Sequence, residues 1–74
     1  MNNAFYTVVS VKNNDVHVSK PYKWNYSLPQ LCDYARSVSL ENENVVVSIY
    51  KHYLETPTNT RLLYRFVNGQ LVRF

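Results

Sequence analysis

Polar and apolar residues first alternate along the chain with a period of two, which is typical of a β-strand with one buried face. The alternation covers residues 4–12, with Phe5, Thr7, Val9 and Val11 on one side and Tyr6, Val8 and Ser10 on the other. Asn13 and Asn14 follow at the position of a two-residue hairpin turn, because asparagine tolerates positive φ. Such a turn predicts that Lys12 pairs with Asp15, Val11 with Val16 and Val9 with Val18.

Residues 27–39 show the period of an amphipathic helix. Ser27 and Gln30 have the spacing of a capping box, in which each side chain bonds the backbone N–H of the other residue. Pro29 suits the first turn because its missing N–H would have no helical partner there. The helix is predicted to end near Val38 or Ser39, and its apolar face carries Leu28, Leu31, Cys32, Ala35 and Val38.

The C-terminal half has the pattern of three further strands. Residues 45–54 form the longest run rich in β-branched and aromatic residues, and residues 61–67 form a second run after a turn. Asn68 and Gly69 are a strong hairpin signal between that second run and residues 70–74.

This order, β-β-α-β-β-β, predicts an α+β fold in a single domain spanning residues 1–74. We expect a small two-layer domain in which one helix packs on one face of an antiparallel sheet. The other face would then be open to water or to a partner. A chain of this length buries only about 60% of its unfolded surface. Association would add stability, and the terminal strand that ends at Phe74 is a candidate edge for a homodimer.

The residues that usually carry catalysis are few in this chain. The single cysteine, Cys32, lies on the apolar face of the predicted helix and is interpreted as a buried, inert thiol. His17 and His52 lie in no recognisable motif and are expected at the surface. The ligand pairs lack the close spacing of zinc sites, and one glycine, Gly69, leaves no phosphate-binding loop. We therefore predict no enzyme activity, no cofactor and no metal.

The charge of the chain points to acidic partners. The formal net charge is +3, and residues 56–74 contain three arginines and no acidic residue. This asymmetry favours a protein with an acidic surface or a nucleic acid. No apolar run approaches the roughly 20 residues of a membrane span, and no secretory signal pattern is visible. We expect no membrane contact and a cytoplasmic location, in the host cytoplasm if a phage encodes the protein.

The strongest candidate contact segment is residues 20–26, which combine three large aromatic residues with two lysines. Aromatic side chains dominate binding hot spots because they bring a large rigid surface and a polar group. The predicted partner-binding residues are Tyr22, Lys23, Trp24 and Tyr26 as anchors, with Arg61, Arg65 and Arg73 for charge complementarity. Whether Trp24 is exposed or folds back as a lid on the core stays open.

Binding of single-stranded nucleic acid is the alternative, because rings can stack on bases while cations meet phosphates. The candidates are Lys20, Lys23, Trp24, Tyr50, Lys51, Tyr53, Tyr64 and Arg65, which would lie on an aromatic and basic sheet face. The competing interpretation of the three strand tyrosines is that they are ordinary residues of a half-buried sheet.

In size and composition the chain resembles the small accessory proteins of phages and other mobile elements. Many such proteins inhibit a host nucleic-acid-processing or defence enzyme, so the resemblance implies a role in host–virus interaction as an anti-defence inhibitor. The resemblance assigns no function to any particular residue. The basic net charge of the chain differs from the acidic charge of inhibitors that mimic DNA. We therefore predict a non-enzymatic binding module that docks on a macromolecular partner and occludes it.

Overall fold

The elements follow the predicted order, with one additional short strand. A computed structural model describes residues 4–23, 27–53 and 60–72. The elements are β1 (Ala4–Lys12), β2 (Asp15–Val18), β3 (Tyr22–Lys23), α1 (Leu28–Glu41), β4 (Val45–Tyr53), β5 (Thr60–Val67) and β6 (Gln70–Leu71). One helix packs against one antiparallel sheet, and the protein is a small α+β domain as predicted.

The sheet has the strand order β2-β1-β4-β5-β6. β4 pairs with β1 along residues 4–12, and both β2 and β3 lie on the other edge of β1. The predicted register of the first hairpin is confirmed, with Lys12 opposite Asp15 and Val9 opposite Val18. The second hairpin also follows prediction, because β5 and β6 pair Val67 with Gln70. Local turn chemistry therefore fixes both hairpins.

The two turns use asparagine at positive φ in different ways. In the second turn Asn68 and Gly69 both have positive φ, at 53° and 76°, as a type I′ turn requires. In the first turn Asn13 has a φ of 55°, whereas Asn14 does not adopt positive φ. The first turn therefore keeps the predicted pairing without the I′ geometry.

The additional short strand is β3, formed by Tyr22 and Lys23 within the candidate contact segment 20–26, and the sequence pattern does not predict it. The break between β2 and β3 has a local cause at Ser19. The Ser19 N–H donates to the carbonyl of Val8 at 2.9 Å, and the Ser19 hydroxyl accepts from the N–H of Val8 at 2.8 Å. Pro21 then lacks the N–H that continued pairing would use. A strand of two residues is too short for periodicity to reveal.

Helix α1 begins where predicted, but the capping box does not form. Ser27 is the N-cap residue, yet its side chain makes no capping hydrogen bond. Pro29 removes one of the amides that an N-cap side chain serves. The helix continues to Glu41, beyond the predicted end, and the Asn42 side-chain amide donates to the carbonyl of Val38 at 2.8 Å. This bond satisfies a carbonyl that would otherwise lack a helical partner.

The core lies between α1 and one face of the sheet. Its buried members are Tyr6, Val8, Leu31, Ala35, Val45, Val47, Ile49 and Phe66. Leu28, Cys32 and Val38 pack against this cluster, so the predicted apolar face of the helix is confirmed. Among the described residues, no helix has the length and apolar character needed to cross a membrane.

Candidate functional site

The sheet face opposite α1 is the candidate functional surface, and we call it the open face. Cross-strand partners share a face of an antiparallel sheet, so the register identifies its members. They are Phe5, Thr7, Val9, Val11, Val16, Val18, Val46, Ser48, Tyr50, His52, Thr60, Leu62, Arg65 and Val67. In the register these residues form rows across the strands, and the chemistry changes from row to row.

The first row is entirely apolar and crosses four strands. It consists of Val67, Val46, Val11 and Val16, each opposite the next on the neighbouring strand. In the next row Val9 lies opposite Val18. We call these six valines the valine patch. Val16 and Val18 at its β2 end are 63% and 56% exposed, although an antiparallel sheet face open to water is usually polar.

A positive charge is held beside the valine patch. Arg65 lies opposite Ser48, and its Nε donates to the Ser48 hydroxyl at 3.0 Å. Ser48 is only 4% exposed, so this bond satisfies a buried hydroxyl. The Arg65 side chain is half-buried, and its stem therefore covers part of the sheet while the guanidinium is fixed in place.

At the other end of the open face, His52 bridges two strands through both ring nitrogens. Nε2 shares a hydrogen bond of 2.7 Å with the Thr7 hydroxyl, and Nδ1 shares one of 3.2 Å with the Thr60 hydroxyl. The Phe5 ring stacks on the imidazole, with centroids 4.7 Å apart and planes 11° apart. Burial lowers the pKa of His52 because it disfavours the charged imidazolium.

His52 lies on the open face, as expected for a surface residue, but its ring is only partly exposed. The ring is half-buried between β1 and β5, and its contact with Thr7 joins residues 45 positions apart. A period-two pattern does place His52 and Tyr50 on the same side of β4. It does not say which strand lies next to them, so sequence reasoning could not find Thr7.

Thr7, His52 and Thr60 are arranged as in a site with an activated nucleophile. Thr7 would supply the hydroxyl nucleophile, His52 the base, and Thr60 the group that orients the base. Two features oppose that use. Thr7 is 7% exposed, and the backbone N–H groups of β1 near it are engaged, either by pairing with β4 or, at Val8, by the Ser19 hydroxyl. Those N–H groups cannot stabilise a developing oxyanion. The geometry therefore favours a structural role for the His52 ring, which links β1 to β5 through its two hydrogen bonds.

The structure separates the predicted partner-binding residues. Tyr22 is half-buried and packs against the core, and the backbone of Lys23 lies opposite Phe5. Arg61 is exposed and lies opposite Lys51 on the helix side of the sheet, whereas Arg65 is on the open face. The predicted anchors Trp24 and Tyr26, and the predicted cation Arg73, lie outside the described residues.

The residues proposed for nucleic-acid binding are also divided between the two faces. Tyr50 and Arg65 are on the open face, while Lys51, Tyr53 and Tyr64 are on the helix side. Lys20 is exposed, and Trp24 lies outside the described residues. Among the described members, therefore, no single aromatic and basic face forms.

Lys51 nevertheless has a distinctive environment on the helix side. Its Nζ lies 5.2 Å from the centroid of the Tyr53 ring, within cation–π range. Arg61 lies directly opposite on β5. Two cations beside an aromatic ring form a small basic patch on this side of the sheet.

In the described part of the chain, no three histidine, cysteine or acidic side chains lie together. No protein-family model, no characterised protein and no solved structure matches the chain.

Proposed function

We propose that the protein is a non-enzymatic binding module that docks on a protein partner through the valine patch and occludes the surface it covers. The apolar row from Val67 to Val16 carries the proposal. A continuous apolar patch on a face with polar surroundings is characteristic of protein–protein contact sites. Rigid strands present the patch, so little conformational entropy is lost on binding.

Arg65 supports a partner with an acidic surface. The Ser48 hydroxyl fixes Nε next to the valine patch, so a carboxylate on the partner would meet a cation that is already positioned. A charge next to an apolar centre matches the usual anatomy of an interface, which has an apolar core and a polar rim. The charge would contribute mainly to specificity and association rate.

The biological setting that we propose is inhibition of a host nucleic-acid-processing or defence protein by a phage or mobile element. Support for this setting comes from the resemblance in size and composition. Trp24 and Tyr26 stay predicted anchors, since they lie outside the described residues. Tyr22 is a weaker anchor because its ring packs against the core.

The experiment is a capture assay with matched variants. The tagged protein is incubated with nuclease-treated bacterial lysate, and retained proteins are identified by mass spectrometry. Val67→Lys places a charge within the apolar row, while Leu71→Lys places the same charge at an exposed apolar residue of β6 outside the patch. We expect Val67→Lys to lose the partner and Leu71→Lys to retain it. Equal capture by both variants, with intact folds by circular dichroism, would refute docking through the patch.

Single-stranded nucleic-acid binding is the second candidate, and the Lys51–Tyr53–Arg61 patch favours it. Like charges directly opposite each other destabilise a sheet, and a phosphate between them would relieve the repulsion. The test is fluorescence anisotropy with a labelled oligothymidine across a salt series. Phosphate binding makes affinity fall steeply with salt, and Lys51→Gln should flatten that slope. No binding at low salt would remove this candidate.

A further inference from the structure

β2 is an edge strand with unusual exposure. All four of its residues, Asp15–Val18, are exposed, and β1 is the strand with which it pairs in the described part of the chain. Edge strands commonly carry lysine or proline as protection against pairing with other chains. Within β2 neither occurs, since Lys20 and Pro21 come only after the strand ends. The strand is therefore bounded by a turn at one end and by Pro21 at the other.

The hairpin geometry determines which main-chain groups face outward. Lys12 and Asp15 flank a two-residue turn, so they exchange the first pair of hydrogen bonds. Alternation then directs the amides of Asp15, His17 and Ser19 towards β1, in agreement with the bond from the Ser19 N–H to the carbonyl of Val8. The N–H and carbonyl groups of Val16 and Val18 consequently point away from the sheet.

We propose that two copies of the chain associate through antiparallel pairing of their β2 strands, about a two-fold axis at His17. In this register Val16 of each copy lies opposite Val18 of the other. All four outward main-chain groups of each copy are then paired. A shift of the register would instead place Val18 opposite Asn14 in the turn, or Val16 opposite Lys20 beside Pro21. Those registers leave part of the edge unpaired.

The side chains support a second copy as the occupant. The edge has a carboxylate at one end, on Asp15, and an ammonium group at the other, on Lys20, and both residues are exposed. Antiparallel pairing brings the acidic end of each copy beside the basic end of the other, twice over. The exposed Val16 and Val18 meet their counterparts on the same side of the sheet. The short edge predicts a weak, concentration-dependent dimer.

This association goes beyond the proposed function and does not depend on it. Pairing about a two-fold axis perpendicular to the sheet would keep both open faces on the same side. The two valine patches would then join into one surface across a continuous sheet.

Disulfide trapping tests the register. In a Cys32→Ala background, His17→Cys puts two thiols at a non-hydrogen-bonded pair, where Cα atoms lie about 4.5 Å apart, near the range for a disulfide. Asp15→Cys is the matched control, because its own counterpart would be four residues away along the strand, at about 14 Å. We expect a covalent dimer under mild oxidation with His17→Cys and none with Asp15→Cys. Absence of the His17→Cys dimer at concentrations where the native chain associates would overturn the proposal.

Sedimentation velocity of the purified chain over a concentration series tests whether the dimer forms through the β2 edge. Val18→Pro removes an outward N–H without removing a bond to β1, so the dimer dissociation constant should rise at least about tenfold. Leu71→Pro makes the corresponding change on the opposite edge, at β6, and should leave the constant unchanged. A chain that stays monomeric at every concentration, or one in which only Leu71→Pro dissociates the dimer, would overturn the proposal. If Val18→Pro unfolds, the disulfide experiment decides.

Discussion

The backbone N–H of Gly69 donates to the Ser39 hydroxyl at 2.9 Å and so ties the end of the helix to the last hairpin turn. The Ser39 hydroxyl in turn donates to the carbonyl of Arg36 at 2.9 Å, which completes its hydrogen bonding. Ser39 is fully buried. This contact holds the C-terminal part of α1 to the turn between β5 and β6.

We predict that Ser39→Ala destabilises the fold by about 1–3 kcal/mol, because it leaves the Gly69 N–H without its partner in a part-buried site. Urea denaturation followed by circular dichroism measures the change. Ser37→Ala is the matched control, since Ser37 is exposed on the same helix and should change stability little. Equal effects of the two substitutions would contradict the role of this contact.

Gly69→Ala should be destabilising for an independent reason. Gly69 has a φ of 76°, and a Cβ there would lie 3.0 Å from Cδ1 of Leu40. The backbone conformation alone disfavours alanine by about 1–2 kcal/mol, and the contact adds to this. The double variant Gly69→Ala, Leu40→Ala removes the contact with Cδ1 of Leu40, but it keeps the contact with Cβ at 3.1 Å and the backbone strain. It should recover only part of the loss in urea midpoint; full recovery would show that the steric contact dominates.

We predict that protonation of His52 lowers the free energy of unfolding at acidic pH. Its pKa in the folded protein is lower than the ordinary value of 6.5, because burial disfavours the imidazolium. The unfolded chain therefore binds a proton more readily than the folded chain. The contribution of neutral His52 is fully present above about pH 6.5 and is lost as the pH falls through the lower folded pKa.

Urea titrations at pH 7.5 and pH 5.5 check this prediction. The native chain should be less stable at the lower pH, and His52→Gln should show a smaller decrease because glutamine does not titrate. His17→Gln is the control: His17 is exposed in β2, and this variant should keep the native decrease. A pH dependence that is unchanged in His52→Gln would contradict the assignment to His52.

The parts of the fold that local chemistry determines could be predicted from the sequence. Asn13 and Asn14, like Asn68 and Gly69, sit directly between the strands they join, so the turn fixes the register. The same reasoning could not give the pairing of β1 with β4, since a helix separates them in the chain. The Thr7–His52 contact depends on that long-range pairing, so the sequence alone does not reveal it.

The predicted aromatic and basic face failed to form for a related reason. Lys51 lies between Tyr50 and His52 and points to the opposite face, as period two requires. A register shift between Ile49 and Tyr50 then changes which residues of β5 lie opposite β4. Bulges of this kind follow from packing between strands, and the sequence of either strand alone does not show them.

We predict that the Cys32 thiol reacts slowly with Ellman's reagent at pH 8. Burial raises its pKa, Asp33 raises it further, and Arg36 opposes both. The thiolate fraction is therefore smaller than for an ordinary cysteine. Arg36→Gln should slow the reaction further and Asp33→Asn should speed it, and chain unfolded in urea gives the reference rate. A reaction rate in the native chain equal to that in the unfolded chain would contradict protection of the half-buried thiol.

Ser19→Ala tests the break between β2 and β3. The substitution removes the hydroxyl that accepts the Val8 N–H, while the bond from the Ser19 N–H to the Val8 carbonyl remains. Because Val8 is buried, its N–H would lose its acceptor, with an expected loss of about 1–3 kcal/mol in the free energy of unfolding. Ser19→Thr keeps the hydroxyl and should recover most of the loss.

Hydrogen exchange locates this effect within the sheet. In Ser19→Ala the Val8 amide should exchange faster than in the native chain. The exchange rate of the Val47 amide in β4 should increase only by the amount that the loss of global stability explains. Unchanged protection at Val8 would mean that water or a shifted β2 replaces the serine hydroxyl. The break between β2 and β3 would then depend on Pro21 alone.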